Sequence, residues 1–407
     1  MENLEPSRFF AILVVMLASA KVAGLLARRF GQPSVLGELL AGIVVGGSVL
    51  GLVDPHIPTI HLMSELGVIV LLLAIGMETD LARMMKVGPA ALMVAIVGVV
   101  APFGMGYAGC LAMGLGNLES IMIGATLTAT SVGITARVLS DLGRLGSEEG
   151  QVILGAAVID DILGLIILAV VVGMVEGGDA TPAVIGLATF KAFGFLAAVL
   201  VVGGLIVPPI IRLAGRVDMP GTPAVLAMIL ALGLAWMAEG AGSAPIIGAF
   251  AAGLLLAKTD ESHEIERAVT HLGYFFVPLF FVGVGAMVDL SALDPRVPGA
   301  GTALMVGAML IVVGVIGKFI AGYAAPGFKG DRRVVGVGMI PRGEVGLIFA
   351  QIGLAKGVLD QAEFGAVTLM VVVTTFLAPP LLRLLVAKSE VPGPPDEVGI
   401  ADLVSGQ

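Results

Sequence analysis

Asp160 and Asp161 stand side by side within Gly-Ala-Ala-Val-Ile-Asp-Asp-Ile-Leu-Gly-Leu-Ile-Ile-Leu-Ala-Val-Val-Val-Gly, residues 155–173, a run long and apolar enough to cross a bilayer. A carboxylate at mid-bilayer costs at least ~2.5–3.5 kcal/mol on insertion scales, and two neighbours also repel. Such a pair persists when a cavity, a bound cation, protons or a buried base compensates it. Carboxylate oxygens joined by hydroxyls and carbonyls suit a hard monovalent cation and suit protons equally well. A site that takes either, but not both together, couples the two by competition.

Other residues could complete that chemistry. Thr126-Leu127-Thr128-Ala129-Thr130-Ser131-Val132-Gly133-Ile134-Thr135 places five hydroxyl side chains and a glycine in the middle of an otherwise apolar span. Pro341-Arg342-Gly343-Glu344-Val345-Gly346 favours a break in a second span. Broken helices at matching positions aim helix dipoles and free carbonyls at an ion. Lys318 lies deep in Val-Gly-Val-Ile-Gly-Lys-Phe-Ile-Ala-Gly, where an ammonium wants a carboxylate; snorkelling to the interface is the alternative. Arg342 and Glu344, two apart, cannot pair along one helix face, although a broken backbone lets them hold the break together. Cys110 is the single cysteine, which excludes an internal disulfide, and the 4 histidines lack metal-ligand spacing. No resident cofactor or structural metal and no nucleic-acid partner is expected.

These side chains need a membrane scaffold, and the composition supplies one. Of 407 residues 57% are hydrophobic and 13% charged, against roughly 25% charged in a soluble domain. Mean hydropathy is +1.05. The chain is an all-α polytopic membrane protein with lipid around it. A signal peptide is not indicated, because the residues before the first apolar run include Glu2 and Glu5.

Windows of about 20 apolar residues give thirteen spans, near 8–29, 34–51, 60–79, 88–114, 119–140, 149–175, 181–211, 222–240, 244–258, 269–289, 301–323, 333–355 and 365–387. Fourteen loop bases, among them Arg28, Arg29, Arg144 and Lys258, fall on one side, against Arg8, Arg296 and Lys356 on the other. By the positive-inside rule the N-terminus is outside and the C-terminus cytoplasmic. Residues 1–387 form a single transmembrane domain, and 388–407, rich in Pro and Gly, read as a disordered cytoplasmic tail.

The chain repeats itself. Gly37-Glu38-Leu39-Leu40-Ala41-Gly42 lines up with Gly248-Ala249-Phe250-Ala251-Ala252-Gly253, Gly76-Met77-Glu78 with Gly285-Ala286-Met287, and Ser131-Val132-Gly133-Ile134 with Glu344-Val345-Gly346-Leu347, all at offsets of about 210 residues. Six spans fit each unit, 8–175 and 222–387, with a linker helix at 181–211. Seven spans separate the two starts, so the second unit is inverted. Inverted repeats with broken, crossing helices favour a secondary transporter over a channel or receptor.

The chain resembles the monovalent cation:proton antiporter-2 superfamily, most nearly the NapA-type bacterial sodium/proton antiporters. The resemblance runs from about residue 10 to 386 and rests on Gly31-Gln32-Pro33-Ser34-Val35-Leu36-Gly37-Glu38, Gly67-Val68-Ile69, Glu78 with Asp80-Leu81, Thr128 to Ala136, Asp160-Asp161, Lys318 and Pro341 to Gly346. Gly46-Gly47-Ser48 departs from the usual Gly-Pro-Ser. The resemblance implies Asp161 as principal ligand for Na+ (or Li+) and protons, with Asp160, Thr130 and Ser131 beside it. It implies an Asp160–Lys318 ion pair that breaks when a cation binds, with Arg342 and Glu344 holding the second broken helix. It further implies an electrogenic elevator-type homodimer in the bacterial inner membrane, with 88–175 and 301–387 as moving core and the rest as dimer scaffold. Such an antiporter is no enzyme; it uses no cofactor and carries cation and proton as cargo. A K+/H+ antiporter would look nearly the same, and a sodium-coupled organic-anion carrier could reuse the topology.

Overall fold

The computed structural model describes residues 5–79, 81–175, 182–214, 221–288 and 300–388. Every regular element among them is helical, one being a 3-10 turn at Gly322–Ala324 and the others α-helices. In chain order these are α1 (Pro6–Arg29), α2 (Ser34–Val45), α3 (Pro58–Glu78), α4 (Leu81–Lys86), α5 (Gly88–Ala112), α6 (Asn117–Thr126), α7 (Val132–Asp141), α8 (Glu148–Val175), α9 (Pro182–Ala214), α10 (Thr222–Gly240), α11 (Pro245–Leu256), α12 (Ser262–Ala286), α13 (Ala300–Ala321), α14 (Arg332–Gly338), α15 (Glu344–Ala355) and α16 (Gln361–Lys388). Among the described residues, nine helices are long and apolar enough to cross a membrane. Two of the remaining expected spans are the short apolar helices α2 and α11. The other two are interrupted: α6 and α7 meet at 127–131, and α14 and α15 at 339–343. The tail after Lys388 and the segment holding Arg296 lie outside the described residues.

Local chemistry sets the ends. Proline opens α1, α3 and α11 in the first turn, where its missing N–H is no loss. The half-helices α7 and α15 both close on a glycine with positive φ, Gly143 at 65° and Gly357 at 70°, a backbone conformation that disfavours a Cβ. One boundary departs from the sequence expectation. The span expected over 34–51 is helical only to Val45, after which the backbone turns at Gly46-Gly47-Ser48 and Ser48 Oγ donates to the Val288 carbonyl.

The two halves pack in reciprocal fashion. A methyl group added at Gly42 of α2 would sit 2.3 Å from the Val282 carbonyl oxygen of α12, and one at Gly285 of α12 would sit 2.2 Å from that of Leu39. Gly253 of α11 and Gly76 of α3 repeat the arrangement, each 2.3 Å from the other helix's carbonyl. The aligned glycines, Gly42 with Gly253 and Gly76 with Gly285, thus make the same two crossings with roles exchanged. Lipid gives helices little hydrophobic reason to associate, so close backbone approach through small residues supplies the van der Waals contact.

α8 is the most enclosed of the spans, with 76% of its apolar window buried, whereas α9 buries 17% and faces outward. α5, α6 and α7 pack on α8, α13 packs on α5 and α16, and α15 on α6 and α16. The acid-bearing helix therefore runs beside both interrupted ones.

The second interrupted helix is anchored at its entry. Asp331 caps α14, accepting from the Arg333 backbone N–H at 2.9 Å and from its guanidinium at 2.8 Å. That guanidinium holds the Asp331 carboxyl below the usual carboxylate range. A depressed folded-state value means that the stabilisation is complete above the ordinary aspartate value of about 3.9 and is lost as pH falls through the folded one. Asp331→Ala should therefore cost about 1 kcal/mol near neutrality. In thermal melts the gap to the native protein should narrow on acidification; a gap independent of pH would refute the capping role.

Candidate ion site

The two helix interruptions cross each other beside α8. The Ser131 backbone N–H donates to the Pro341 carbonyl at 2.9 Å, and Thr135 Oγ1 donates to the Gly338 carbonyl at 2.8 Å. A methyl group at Gly343 would meet Ser131 Oγ at 2.7 Å, so the crossing requires a residue without a side chain there. Breaking a helix frees carbonyls at one stub and N–H groups at the other. Here α6 and α14 present C-terminal carbonyls, while α7 and α15 present N-terminal dipole ends.

Two buried bases take two consecutive freed carbonyls of the first break. Lys318 Nζ donates to Thr128 O at 2.7 Å, and Arg342 Nη1 donates to Ala129 O at 2.8 Å. Lys318 also lies 2.5 Å from Asp160 Oδ2, with both side chains fully buried. Thr130 Oγ1 reaches the same carboxylate oxygen at 2.8 Å and the Met339 carbonyl at 3.3 Å. Residues from α8, α13 and both breaks are therefore joined in one polar network in the protein interior. The snorkelling alternative for Lys318 fails, because its side chain is fully buried and its ammonium is bonded inside the protein.

Asp161 follows Asp160 on α8 and is 5% exposed. Successive helix positions diverge by about 100°, so the two carboxylates leave α8 in different directions. Several polar atoms here are buried without a hydrogen-bond partner: Asp160 Oδ1, Ser131 Oγ, and Nε and Nη2 of Arg342. Unmet polar capacity in a dry interior is costly and marks a place where a ligand or water completes the set. The oxygen donors suit a hard cation. Glu344 begins α15, but its side chain lies outside the described residues, so its expected pairing with Arg342 does too.

The sequence offered little reason to pick out one contributor. Thr375 of α16 donates through Oγ1 to the Arg342 carbonyl, tying the second break to α16. Its only sequence signal is a pair of hydroxyl residues, Thr374-Thr375, in an apolar span.

A family model described as sodium/hydrogen exchanger, transmembrane, matches residues 15–388. The high-affinity Na+/H+ antiporter NhaS3 of Synechocystis sp. is 41% identical over 406 residues, covering 91% of this chain and 88% of that relative. The Na+/H+-K+ antiporter GerN of Bacillus cereus is 37% identical over 380 residues, covering 92% and 95%. Among solved structures, the sodium proton antiporter MjNhaP1 from Methanocaldococcus jannaschii superposes with a TM-score of 0.69 at 17% identity, over 93% of this chain and 96% of that one. At that identity the likeness speaks for the fold.

Proposed function

This chain belongs to the sodium/hydrogen exchanger family, and from that premise we propose that it is a secondary antiporter exchanging Na+ for protons across a bacterial inner membrane. The observation that carries the reading is the Asp160–Lys318–Thr130 network at the crossing of two interrupted helices, with Asp161 beside it. The family is one of transporters, so the relevant chemistry is competition for ligands and no bond is made or broken covalently.

Asp161 is the site where Na+, or Li+, and protons exclude one another, and Thr130 and Ser131 add oxygen ligands from the first break. Asp160 holds Lys318 while the cation is absent and releases it when the cation enters. Arg342 and Glu344 steady the second break. The core formed by residues 88–175 and 301–387 moves against the remaining helices, which also form a homodimer, and exchange is electrogenic. The apolar outward face of α9 supports a lipid or dimer environment on the scaffold side.

The test is flux in proteoliposomes carrying a pH-sensitive dye, pulsed separately with Na+, Li+ and K+. A proton movement driven by Na+ is expected. A K+ response exceeding the Na+ response would overturn the sodium assignment in favour of K+/H+ exchange. Silence to all three would overturn the antiporter reading, and uptake of a labelled organic anion with Na+ would replace it by a coupled carrier.

A further inference from the structure

Away from the crossing, a second polar cluster joins the far end of α7 to α2 and α3. Ser34 Oγ of α2 donates to Asp141 Oδ2 at 2.9 Å, and Ser140 Oγ reaches Glu78 Oε2 of α3 at 3.5 Å. Arg137 Nε lies 3.2 Å from Asp141 Oδ1. On the α2 side, Glu38 is 6% exposed and keeps one carboxylate oxygen without a hydrogen-bond partner. Arg137 borders two cavities. One of about 460 Å3 also touches Glu38, Asp141, Lys21 and Arg28; another of about 40 Å3 touches Glu78 and Ser140.

The cluster is one-sided. In the repeat alignment, Ser34, Glu38, Glu78, Arg137, Ser140 and Asp141 correspond to Pro245, Ala249, Met287, Ala350, Gly353 and Leu354. The counterpart half-helix, α15, therefore has no side chains with which to make these contacts. Two inverted halves built alike would tend to balance the two access states of a carrier. A polar contact present at one end only tilts that balance. α7 is the lever that connects the cluster to the ion site: its ten residues run from the residue after Ser131 to Asp141, a rigid span of ~15 Å.

We propose that these residues form a latch that docks α7 on α2 and α3, closes the route to the ion site at the α7 end and biases the exchanger toward that closed state. The inference rests on the antiporter reading above, and it concerns which face the site serves at rest. Movement of the core breaks Ser34–Asp141 and Ser140–Glu78, while Arg137 stays paired with Asp141 on α7 itself, so the charge of Asp141 is not stranded on release. The hydroxyl contacts are two hydrogen bonds to carboxylates, one well formed and one long at 3.5 Å, few enough to be made and broken in each cycle.

A carrier's apparent affinity at one face scales with the fraction of molecules open to it. Weakening the latch should therefore lower the apparent KM for Na+ at the face carrying Arg144 and raise it at the opposite face. In proteoliposomes of fixed protein orientation, Ser34→Ala combined with Ser140→Ala should lower the ratio of the two KM values by at least about 10-fold, as expected for losing one well-formed hydrogen bond to a carboxylate and one long one. Each single substitution and Asp141→Asn should give part of the same shift, so the test does not depend on one variant folding. A purely structural cluster would lower the maximal rate from both faces and leave the ratio alone. Exchange with an unmoved ratio, or a ratio moved the other way, overturns the latch. Absence of exchange in the native protein overturns the antiporter reading beneath it instead.

Discussion

Asp161→Asn should abolish coupled exchange, reducing Na+-driven proton movement in proteoliposomes by at least about 100-fold while the protein remains folded. Asparagine keeps the size and one oxygen of the side chain and removes both the charge and the titratable proton. If cation and proton compete for this carboxylate, neither half of the cycle survives. Leaving one competitor intact would produce a leak, with Na+ or H+ moving alone, and the variant should show neither. The fold has no comparable dependence. Asp161 is buried beside a second carboxylate that repels it and beside the Lys318 ammonium that attracts it, so the two effects offset and the melting temperature should hold within a few degrees. Loss of activity without loss of stability separates a ligand from a packing residue. Exchange surviving at several pH values would remove Asp161 from the site.

Much of this arrangement was legible in the chain because its signals are local. Apolar windows marked each span, and the hydroxyl run and Pro341-Arg342-Gly343 marked both interruptions, since poor helix formers in mid-membrane have few other uses. Asp160, Asp161 and Lys318 stood out because burying charge in lipid is expensive. The partners of those groups were less legible. Lys318 bonds Thr128 O and Arg342 bonds Ala129 O, and a backbone carbonyl has no side-chain identity to read. Thr375 and Ser34 act through contacts to residues 33 and 107 positions away, and a lone hydroxyl in an apolar helix is usually bonded back to its own turn. Glu38 and Arg137 were visible as charges, but their juxtaposition depends on how α2 and α7 pack. The reciprocal glycine crossings are the intermediate case: the repeat alignment paired the glycines within each family of positions, and the packing showed that each touches the other pair's partner.

Lys318→Gln should cost more stability than any other single change at the site. Lys318 satisfies two acceptors at once, Asp160 Oδ2 and Thr128 O, with no exposure to solvent. Glutamine can donate a hydrogen bond but cannot neutralise the carboxylate, and Thr130 then remains as the neutral donor that Asp160 is known to have. Leaving one partner of a buried ion pair uncompensated typically costs about 3–5 kcal/mol. The amide's remaining hydrogen bond offsets about 1 kcal/mol of that. The loss of charge compensation wins, and the thermal midpoint should fall by several degrees. Adding Asp160→Asn to the same chain removes the stranded charge and should recover most of the loss, which a double-mutant cycle would read as strong coupling between two residues 158 positions apart. The same variants test the transport role. If the pair opens as the cation enters, Lys318→Gln should lose voltage generation or shift its pH profile even where some exchange remains. An additive cycle would refute the ion pair as a stabilising unit, and unchanged voltage-generating exchange would confine Lys318 to holding the broken helix.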